Sequence, residues 1–321
     1  MSKDFAQRIR ERYPEGLTGV FAIGGTRTTY ILEQNRDKAD PGKIEDFRAH
    51  GEYLLRRYWD LIDTFYDLGG QNMIVTAFSF RGFYNRGEEY ARLVADEMFR
   101  FIDDDSIDYY KRSGIDPYFT GIDTLLLLPE DSYIHDVGKK LAAFQKSYPY
   151  QEGNRKLIWE IASIPLYTFW QTYRGMTPED NAALDAEIRK LDNLEDVQRV
   201  LYRHFSKAAY GTEVPMPHFY LGTNKSGDLK WRSPMPVALT YGDYLRMFYT
   251  PYPSLFIQRE TLQAILNDLA FKERFMSAKT DYAEQYTSEL AQAEYERVME
   301  LSSTPETALG YSRRVSQAQR E

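Results

Sequence analysis

Two patterns of apolar residues alternate along the chain. Short, nearly continuous apolar runs are typical of strands buried in a parallel sheet. They lie at residues 18–23, 72–78, 118–120, 155–163, 218–221 and 244–250, with a further strand candidate at 124–128. Between them, apolar residues recur at three- and four-residue spacing, which predicts amphipathic helices. These helical segments are 43–68, 88–101, 133–148, 258–275 and 282–301.

The alternation of strands and helices predicts the fold class. We expect an α/β protein with a central, mostly parallel sheet of about six strands flanked by helices. Residues 166–210 have helical spacing and predict two or three helices, which we interpret as a helical insertion within a single domain spanning 1–321. C-terminal helices follow, and residues 302–321 are expected to form a flexible polar tail.

The first apolar run ends in a candidate phosphate-binding loop. Gly24 and Gly25 break the run and lead directly into Thr26 and Arg27. In open parallel sheets, ligands bind beyond the carboxyl ends of the strands, where glycines let backbone N–H groups approach an anion. An ordinary turn with a solvated arginine has the same local sequence, so this loop alone does not decide between the two.

A basic loop follows two further strands as well. The run 72–78 ends at Ser79 and leads to Arg86, and the run 218–221 leads through a glycine-rich segment to Lys230. Since right-handed crossovers place the carboxyl ends of parallel strands at the same edge, the three loops are expected to meet there. The repetition favours an anion site.

The helix predicted at 43–68 contributes two more candidates. Arg48 and His50 lie in its first turns, where the positive pole of the helix dipole faces the same edge of the sheet. A histidine near a helix start is more often structural than catalytic, so a structural role for His50 stays open.

The composition narrows the possible chemistry. The absence of cysteine excludes thiolate catalysis and sulfur-ligated metals. The four histidines stand far apart, without metal-ligand spacing, at His50, His135, His204 and His218. A net charge of −8 argues against a nucleic-acid-binding surface. The 26 Tyr and 18 Phe suit a large core and a pocket for a hydrocarbon that becomes cationic.

No stretch of the sequence predicts a membrane span or a targeting signal. No run approaches the roughly 18 apolar residues that a spanning helix requires, and the first residues lack the pattern of a signal peptide. We therefore expect a soluble, cytoplasmic protein.

An aspartate-rich segment invites a second interpretation. Asp104, Asp105 and Asp108 match the pattern that binds magnesium in the all-helical terpene synthases. Here the segment lies between two predicted helical stretches, where aspartate is a good N-cap and first-turn residue. We favour the capping interpretation.

The basic loops together resemble those of the cis-prenyltransferase superfamily, the group of undecaprenyl diphosphate synthase. Gly24–Arg27 stands where the family has Asp-Gly-Asn-x-Arg-Trp after its first strand. Ala77–Ser79 with Arg86 looks like the second family motif, and Arg48 matches an arginine at the start of the first long helix. Thr223–Lys230 resembles the third motif, Arg-x-Ser-Gly-x-x-Arg.

Within the superfamily, the sequence is similar to a divergent branch of bacterial diterpene synthases that includes tuberculosinyl adenosine transferase and kolavelool synthase. The shared segments, in chain order, are Gly25–Arg27, Leu32–Glu33 with Asn35, Asn85–Gly87 and Phe248–Thr250. The resemblance covers roughly residues 18–128 and 216–290, and residues 130–215 have no counterpart that we can place.

The resemblance implies a diterpene synthase that removes diphosphate from a prenyl or bicyclic diterpenyl diphosphate. The carbocation would be quenched by water addition or deprotonation. One alternative is a prenyltransferase that condenses prenyl diphosphates or transfers a prenyl group to an acceptor. Another is a catalytically inactive regulatory subunit of a cis-prenyltransferase-like complex. The resemblance also implies a homodimer.

The same resemblance assigns roles to individual residues. The implied diphosphate ligands are Gly25, Thr26, Arg27, Arg48, Ser79, Arg86 and Lys230. The catalytic candidates are Arg27, Arg86 and His50. In the reaction that we expect, His50, or a tyrosine that the sequence does not single out, would orient a water molecule or accept a proton. The family aspartate that holds Mg²⁺ is Gly24 here, so magnesium dependence stays open and no metal ligand is assigned.

Overall fold

The structure is a computed structural model that describes residues 2–79, 88–223, 229–240, 245–271 and 287–304. Its centre is a sheet of six parallel strands in the order β3-β4-β2-β1-β5-β6. The strands are β1 (Leu17–Ala22), β2 (Gly70–Phe78), β3 (Ile115–Thr120), β4 (Arg155–Ile161), β5 (Phe219–Thr223) and β6 (Arg246–Thr250). This architecture confirms the predicted fold class.

The helices of the described residues lie between and after these strands. Before β4 they are α1 (Ser2–Arg12), α2 (Thr26–Tyr30), α3 (Phe47–Asp67), α4 (Glu88–Met98), α5 (Asp104–Ser113), α6 (Ile122–Leu125) and α7 (Tyr133–Ser147). After β4 they are α8 (Pro165–Gly175), α9 (Pro178–Ile188), α10 (Leu194–Tyr210), α11 (Pro234–Leu239), α12 (Arg259–Phe271) and α13 (Ser288–Ser302).

Apolar side chains cover the sheet on both faces. On one face, Phe21 and Trp159 pack in a cluster that includes residues of α1, α3, α5, α7 and α12. On the other face, Val20 and Ile158 pack with Tyr210 of α10 and Met235 of α11. Every residue of β1 is buried, as expected for a strand covered on both sides.

The connections that leave β1 and β5 run to opposite faces of the sheet. After β1 the chain passes through α3, on one face, to β2, whereas after β5 it passes through α11, on the other face, to β6. Adjacent strands whose connections leave to opposite faces open a crevice at their carboxyl ends, and this is where α/β proteins bind ligands. The Gly24–Gly25 turn lies at this crevice, directly after β1.

The segment 166–210 is helical, as predicted, and forms α8, α9 and α10. Its parts differ in burial: α9 has no buried residue, whereas α10 buries Tyr202 and Tyr210 against the sheet. Part of the expected insertion therefore forms the second helical layer of the core.

Two local predictions were wrong. Residues 124–128 do not form a strand, because the chain turns at Gly121, with φ 95°, into the short helix α6. A side chain at Gly121 would collide with the carbonyl oxygen of Ile161, so the turn requires glycine. The predicted loop at Gly24–Arg27 is shorter than expected, because α2 begins at Thr26 and continues into a π-helical turn at Ile31–Asn35.

The aspartate-rich segment caps α5. The Asp103 side chain accepts a hydrogen bond from the Ser106 backbone N–H at 2.9 Å, and Asp104 and Asp105 occupy the first turn. The capping interpretation is confirmed. Over the described residues, no helix combines the length and apolar character needed to cross a membrane.

Candidate active site

The Gly24–Gly25 turn is fixed by hydrogen bonds to a distant part of the chain. The Gly24 N–H donates to Ser254 Oγ at 3.2 Å, and the Ser254 N–H donates to the Gly24 carbonyl at 3.1 Å. Gly25 adopts φ 77°, a left-handed conformation that turns the chain into α2. The backbone of Gly24 is thus already paired, and the N–H groups that lack helical partners are those at the start of α2.

Arg27 and His50 lie together beside this turn. Arg27 is exposed on α2 and donates to the carbonyl oxygen of Gly42. His50 lies in the first turns of α3, with its ring 4.9 Å from that of Tyr30. Burial, followed by the charge of Arg27, lowers the pKa of His50 to about 4. His50 is therefore neutral near pH 7 and can accept a proton.

The Nε2 atom of His50 is buried, and it has no hydrogen-bond partner in the part of the chain that the structure describes. Aromatic rings surround it: Tyr53 contacts Tyr30 at 5.4 Å between ring centroids, and Phe47 contacts His50 at 6.2 Å. Such a surrounding suits a cationic hydrocarbon next to a neutral base.

The remaining predicted residues are placed as follows. Arg48 lies in the first turn of α3, with its side chain 82% exposed and paired with Glu52 at 3.0 Å. Ser79 is exposed, one residue beyond β2. Lys230 is exposed, and its carbonyl accepts a hydrogen bond from the Tyr220 hydroxyl at 3.2 Å. Arg86 lies outside the described residues, as do Asn85, Ser226 and Gly227, so a shared diphosphate grip stays a prediction.

Arg232 is a candidate that the sequence reasoning passed over. A Cβ atom on Gly24 would overlap its guanidinium Nη1 and lie 3.1 Å from its Cζ. The guanidinium therefore lies against the glycine at the end of β1. In the sequence, Arg232 stands at the end of the third basic loop, but the role of phosphate ligand in that loop went to Lys230, two residues earlier.

A buried carboxyl group anchors the segment that carries Arg232. Glu160, at the carboxyl end of β4, is 1% exposed. It accepts hydrogen bonds from the Ser233 hydroxyl and, at 2.9 Å, from the Met235 N–H. Burial raises the pKa of Glu160 to about 7. The apolar run 155–163 gave no sign that its one acid would anchor another loop.

We tested whether the residues at Gly24 fit the Mg²⁺ that the resemblance implies. Gly24 supplies no carboxylate, and the neighbouring hydroxyls of Thr223 and Ser254 bond each other. The Arg232 guanidinium fills the space where a side chain of residue 24 would begin. A fixed positive charge disfavours a divalent cation, which prefers oxygen ligands. The residues at this position do not fit a magnesium ion.

Elsewhere in the described ranges, no cluster of three or more His, Asp or Glu side chains could hold a metal ion. A separate open cavity of 690 Å³ lies beside α7, α8 and α10, lined by Tyr118, Tyr150, Asp123 and Lys146 among others. None of the predicted site residues lines it. We therefore place the site at the β1–β5 crevice, where the charges and the neutral histidine lie.

Comparisons with known proteins agree with the fold. The structure is similar to that of lavandulyl diphosphate synthase from Lavandula x intermedia in complex with dimethylallyl diphosphate, with a TM-score of 0.51 and 15% identity. The match covers 81% of this chain and 97% of that one. The fold is that of the cis-prenyltransferases. At this identity, the likeness concerns the fold and not the reaction.

A probable undecaprenyl diphosphate synthase from Campylobacter jejuni also matches, with a TM-score of 0.49, 12% identity, and coverage of 81% of this chain and 96% of that one. No protein-family model matches the sequence, and no curated protein matches it. At 15% identity, the sequence is far from that of the lavandulyl diphosphate synthase whose fold it resembles.

Proposed function

We propose that this protein is a diterpene synthase that acts on a prenyl or bicyclic diterpenyl diphosphate. The observation that carries the proposal is that the positive charge of Arg27 acts on a neutral His50 beside the Gly24–Gly25 turn, and that His50 Nε2 has no hydrogen-bond partner among the described residues. An arginine that can bind phosphate next to a neutral base suits a reaction that expels diphosphate and then removes a proton.

In the proposed reaction, the bond between the substrate carbon and the diphosphate oxygen breaks, and its electron pair leaves with the diphosphate. Arg27 stabilises the negative charge that develops on the leaving group. The allylic cation lies among Tyr30, Tyr53 and Phe47, whose ring faces attract positive charge. Water then adds to the cation and passes a proton to His50, or His50 takes a proton directly from a neighbouring carbon.

The fold supports this substrate class, because a structural relative is named as a diphosphate synthase in complex with dimethylallyl diphosphate. The aromatic cluster beside His50 is the feature that favours cation quenching over simple condensation. We extend the proposal to a homodimer, as the sequence resemblance implies.

The test is to incubate the pure protein with geranylgeranyl diphosphate and with clerodane-type diphosphates, and to analyse hydrocarbons and alcohols by mass spectrometry. Released inorganic diphosphate is measured in parallel. We expect a diterpene alcohol or olefin in a one-to-one ratio with diphosphate. Longer prenyl diphosphates formed with labelled isopentenyl diphosphate would instead identify a condensing prenyltransferase. Tight substrate binding without turnover would identify a regulatory subunit.

A further inference from the structure

We propose that Arg232 is a diphosphate-binding residue whose guanidinium takes the place of a metal ion at Gly24, so that this site binds diphosphate without a divalent cation. The inference deepens the proposed function and rests on it for the identity of the organic substrate. The diphosphate site itself can be tested without any organic substrate.

The Arg232 guanidinium occupies the space beside Gly24. Its Nη1 and Cζ atoms lie against Gly24, at the carboxyl end of the central strand β1. Gly24 has an ordinary φ, so a side chain at this position would displace the Arg232 guanidinium but would not strain the backbone. The glycine makes room for the arginine.

The backbone of Arg232 is anchored, while the residue as a whole stays exposed. Its backbone N–H donates to the Tyr220 hydroxyl at 2.8 Å, and the following residue, Ser233, donates to buried Glu160. The Arg232 residue itself is exposed. A fixed backbone with an accessible guanidinium is a preorganised donor for an anion.

The charged surroundings of Arg232 also favour an anion. Across the described parts of the chain, no carboxylate forms an ion pair with Arg232 or with Arg27, although both residues adjoin the Gly24–Gly25 turn. In contrast, the arginines Arg48, Arg57, Arg100 and Arg246 each pair with an acid. In a chain of net charge −8, a guanidinium that lies against Gly24 without a carboxylate partner in the described ranges favours binding of an anion there.

A diphosphate ligand needs several positive charges around it. A diphosphate carries several negative charges, which a divalent cation would otherwise share with basic side chains. Arg232 supplies a permanent positive charge and a planar fork of N–H donors at the position that lacks a metal ligand. The ligand class is therefore an organic or inorganic diphosphate, bound directly by guanidinium groups.

The experiment measures the binding of inorganic diphosphate by calorimetry in EDTA and again in excess Mg²⁺. We expect the unmodified protein to bind in EDTA, with a Kd that Mg²⁺ changes by less than about threefold. Arg232→Ala should weaken binding about 10- to 100-fold, as for the loss of one charged hydrogen-bond group. Arg36→Ala is the matched control, because Arg36 is exposed and pairs with Asp37, and it should bind like the unmodified protein.

A second variant tests the same site in case Arg232→Ala does not fold. Gly24→Asp places a carboxylate against the Arg232 guanidinium, so we expect weaker binding in EDTA, partly restored by Mg²⁺. Thermal melts establish that each variant is folded. Binding of diphosphate that requires Mg²⁺, absence of binding in both conditions, or equal affinity of Arg232→Ala and the unmodified protein would each overturn the inference.

The two proposals fail separately. Diphosphate binding in EDTA that depends on Arg232, without any diterpene product, would uphold this site and reject the proposed reaction. Diterpene products formed only with Mg²⁺, and at an unchanged rate in Arg232→Ala, would uphold the reaction and reject the site.

Discussion

Arg27 lies in α2, directly after the turn that follows the central strand β1. Its positive charge lowers the pKa of His50. The structure brings these two residues together, although the sequence separates them by a loop and the start of α3. Each is unremarkable alone, since exposed arginines and half-buried histidines are common. The proposed reaction depends on their proximity, which makes single substitutions informative.

Arg27→Ala is expected to raise the activation barrier by about 2–4 kcal/mol, the usual cost of removing one preorganised transition-state donor. The measurement is steady-state kcat/KM with the best diterpenyl diphosphate. Arg27→Lys should recover part of the rate, because the charge is kept while the fork of donors is lost. Unchanged kinetics in Arg27→Ala would remove this residue from the mechanism.

His50→Gln is expected to lower kcat at least about 100-fold, because glutamine keeps polarity but cannot accept the proton. Diphosphate affinity should change little. The pH profile gives a second readout: since burial and Arg27 lower the pKa of His50 to about 4, kcat/KM should stay constant down to about pH 5 and fall only near pH 4. An acid limb near pH 6.5, or one that persists in His50→Gln, would contradict the assignment.

At the scale of single elements, capping residues and strand contacts explain features that the periodicity alone leaves open. The aspartate-rich segment is a helix start because Asp103 satisfies a backbone N–H of the first turn. The bend after β3 becomes α6 and not a strand, since Gly121 takes a left-handed conformation. At the amino-terminal ends of the strands, His218 links the start of β5 to β1, because its ring accepts a hydrogen bond from the Thr18 N–H.

Asp103→Ala should lower the free energy of unfolding by about 1 kcal/mol, the typical cost of losing an N-cap. Asp108→Ala is the control, because Asp108 is exposed in the same helix, and it should change stability by less than about 0.5 kcal/mol. Urea denaturation measures both. Stabilisation of the unmodified protein by Mg²⁺, lost in Asp108→Ala, would instead revive the metal-binding interpretation of this segment.

His218 predicts a pH dependence of stability. Its Nδ1 accepts a hydrogen bond from the Thr18 N–H at 3.1 Å, and burial lowers its pKa to about 4. Between about pH 6.5 and pH 4, His218 is therefore neutral in the folded state but protonated in the unfolded state. The resulting stability is present above pH 6.5 and is lost as the pH falls towards 4, by about 2 kcal/mol at pH 5.

The measurement compares unfolding free energies at pH 7 and pH 5 for the unmodified protein and His218→Asn. Asparagine keeps an acceptor near the position of Nδ1 but does not titrate in this range. The variant should therefore lose less stability on acidification, whatever its overall stability. Equal losses in both proteins would show that His218 does not contribute to the pH dependence.

At the scale of the whole molecule, the sheet has a distinct outer edge. β6 pairs with β5, and among the described strands nothing pairs with its other side. Unpaired edges are usually covered by further structure or by a partner chain. We expect the homodimer implied by the sequence resemblance, with a mass by analytical ultracentrifugation of twice that of the chain. A monomer at micromolar concentration would contradict it.

The sequence alone determined the existence and type of most elements. Apolar periodicity is a local property, so strands such as 72–78 and helices such as 43–68 were predicted within a few residues of their observed bounds. The resemblance of the basic loops also identified the cis-prenyltransferase fold, which the comparisons support. Local patterns also predicted Gly25, Arg27 and His50 at the carboxyl edge of the sheet, where the structure has them.

Only the tertiary structure decided which distant residues meet at that edge. Gly24 is bonded to Ser254, 230 residues further along the chain, and it lies under the guanidinium of Arg232. No periodicity encodes such a contact, because it depends on the strand order that places β5 beside β1. The sequence could show that an acid is missing at position 24, whereas the fold showed which positive charge stands in its place.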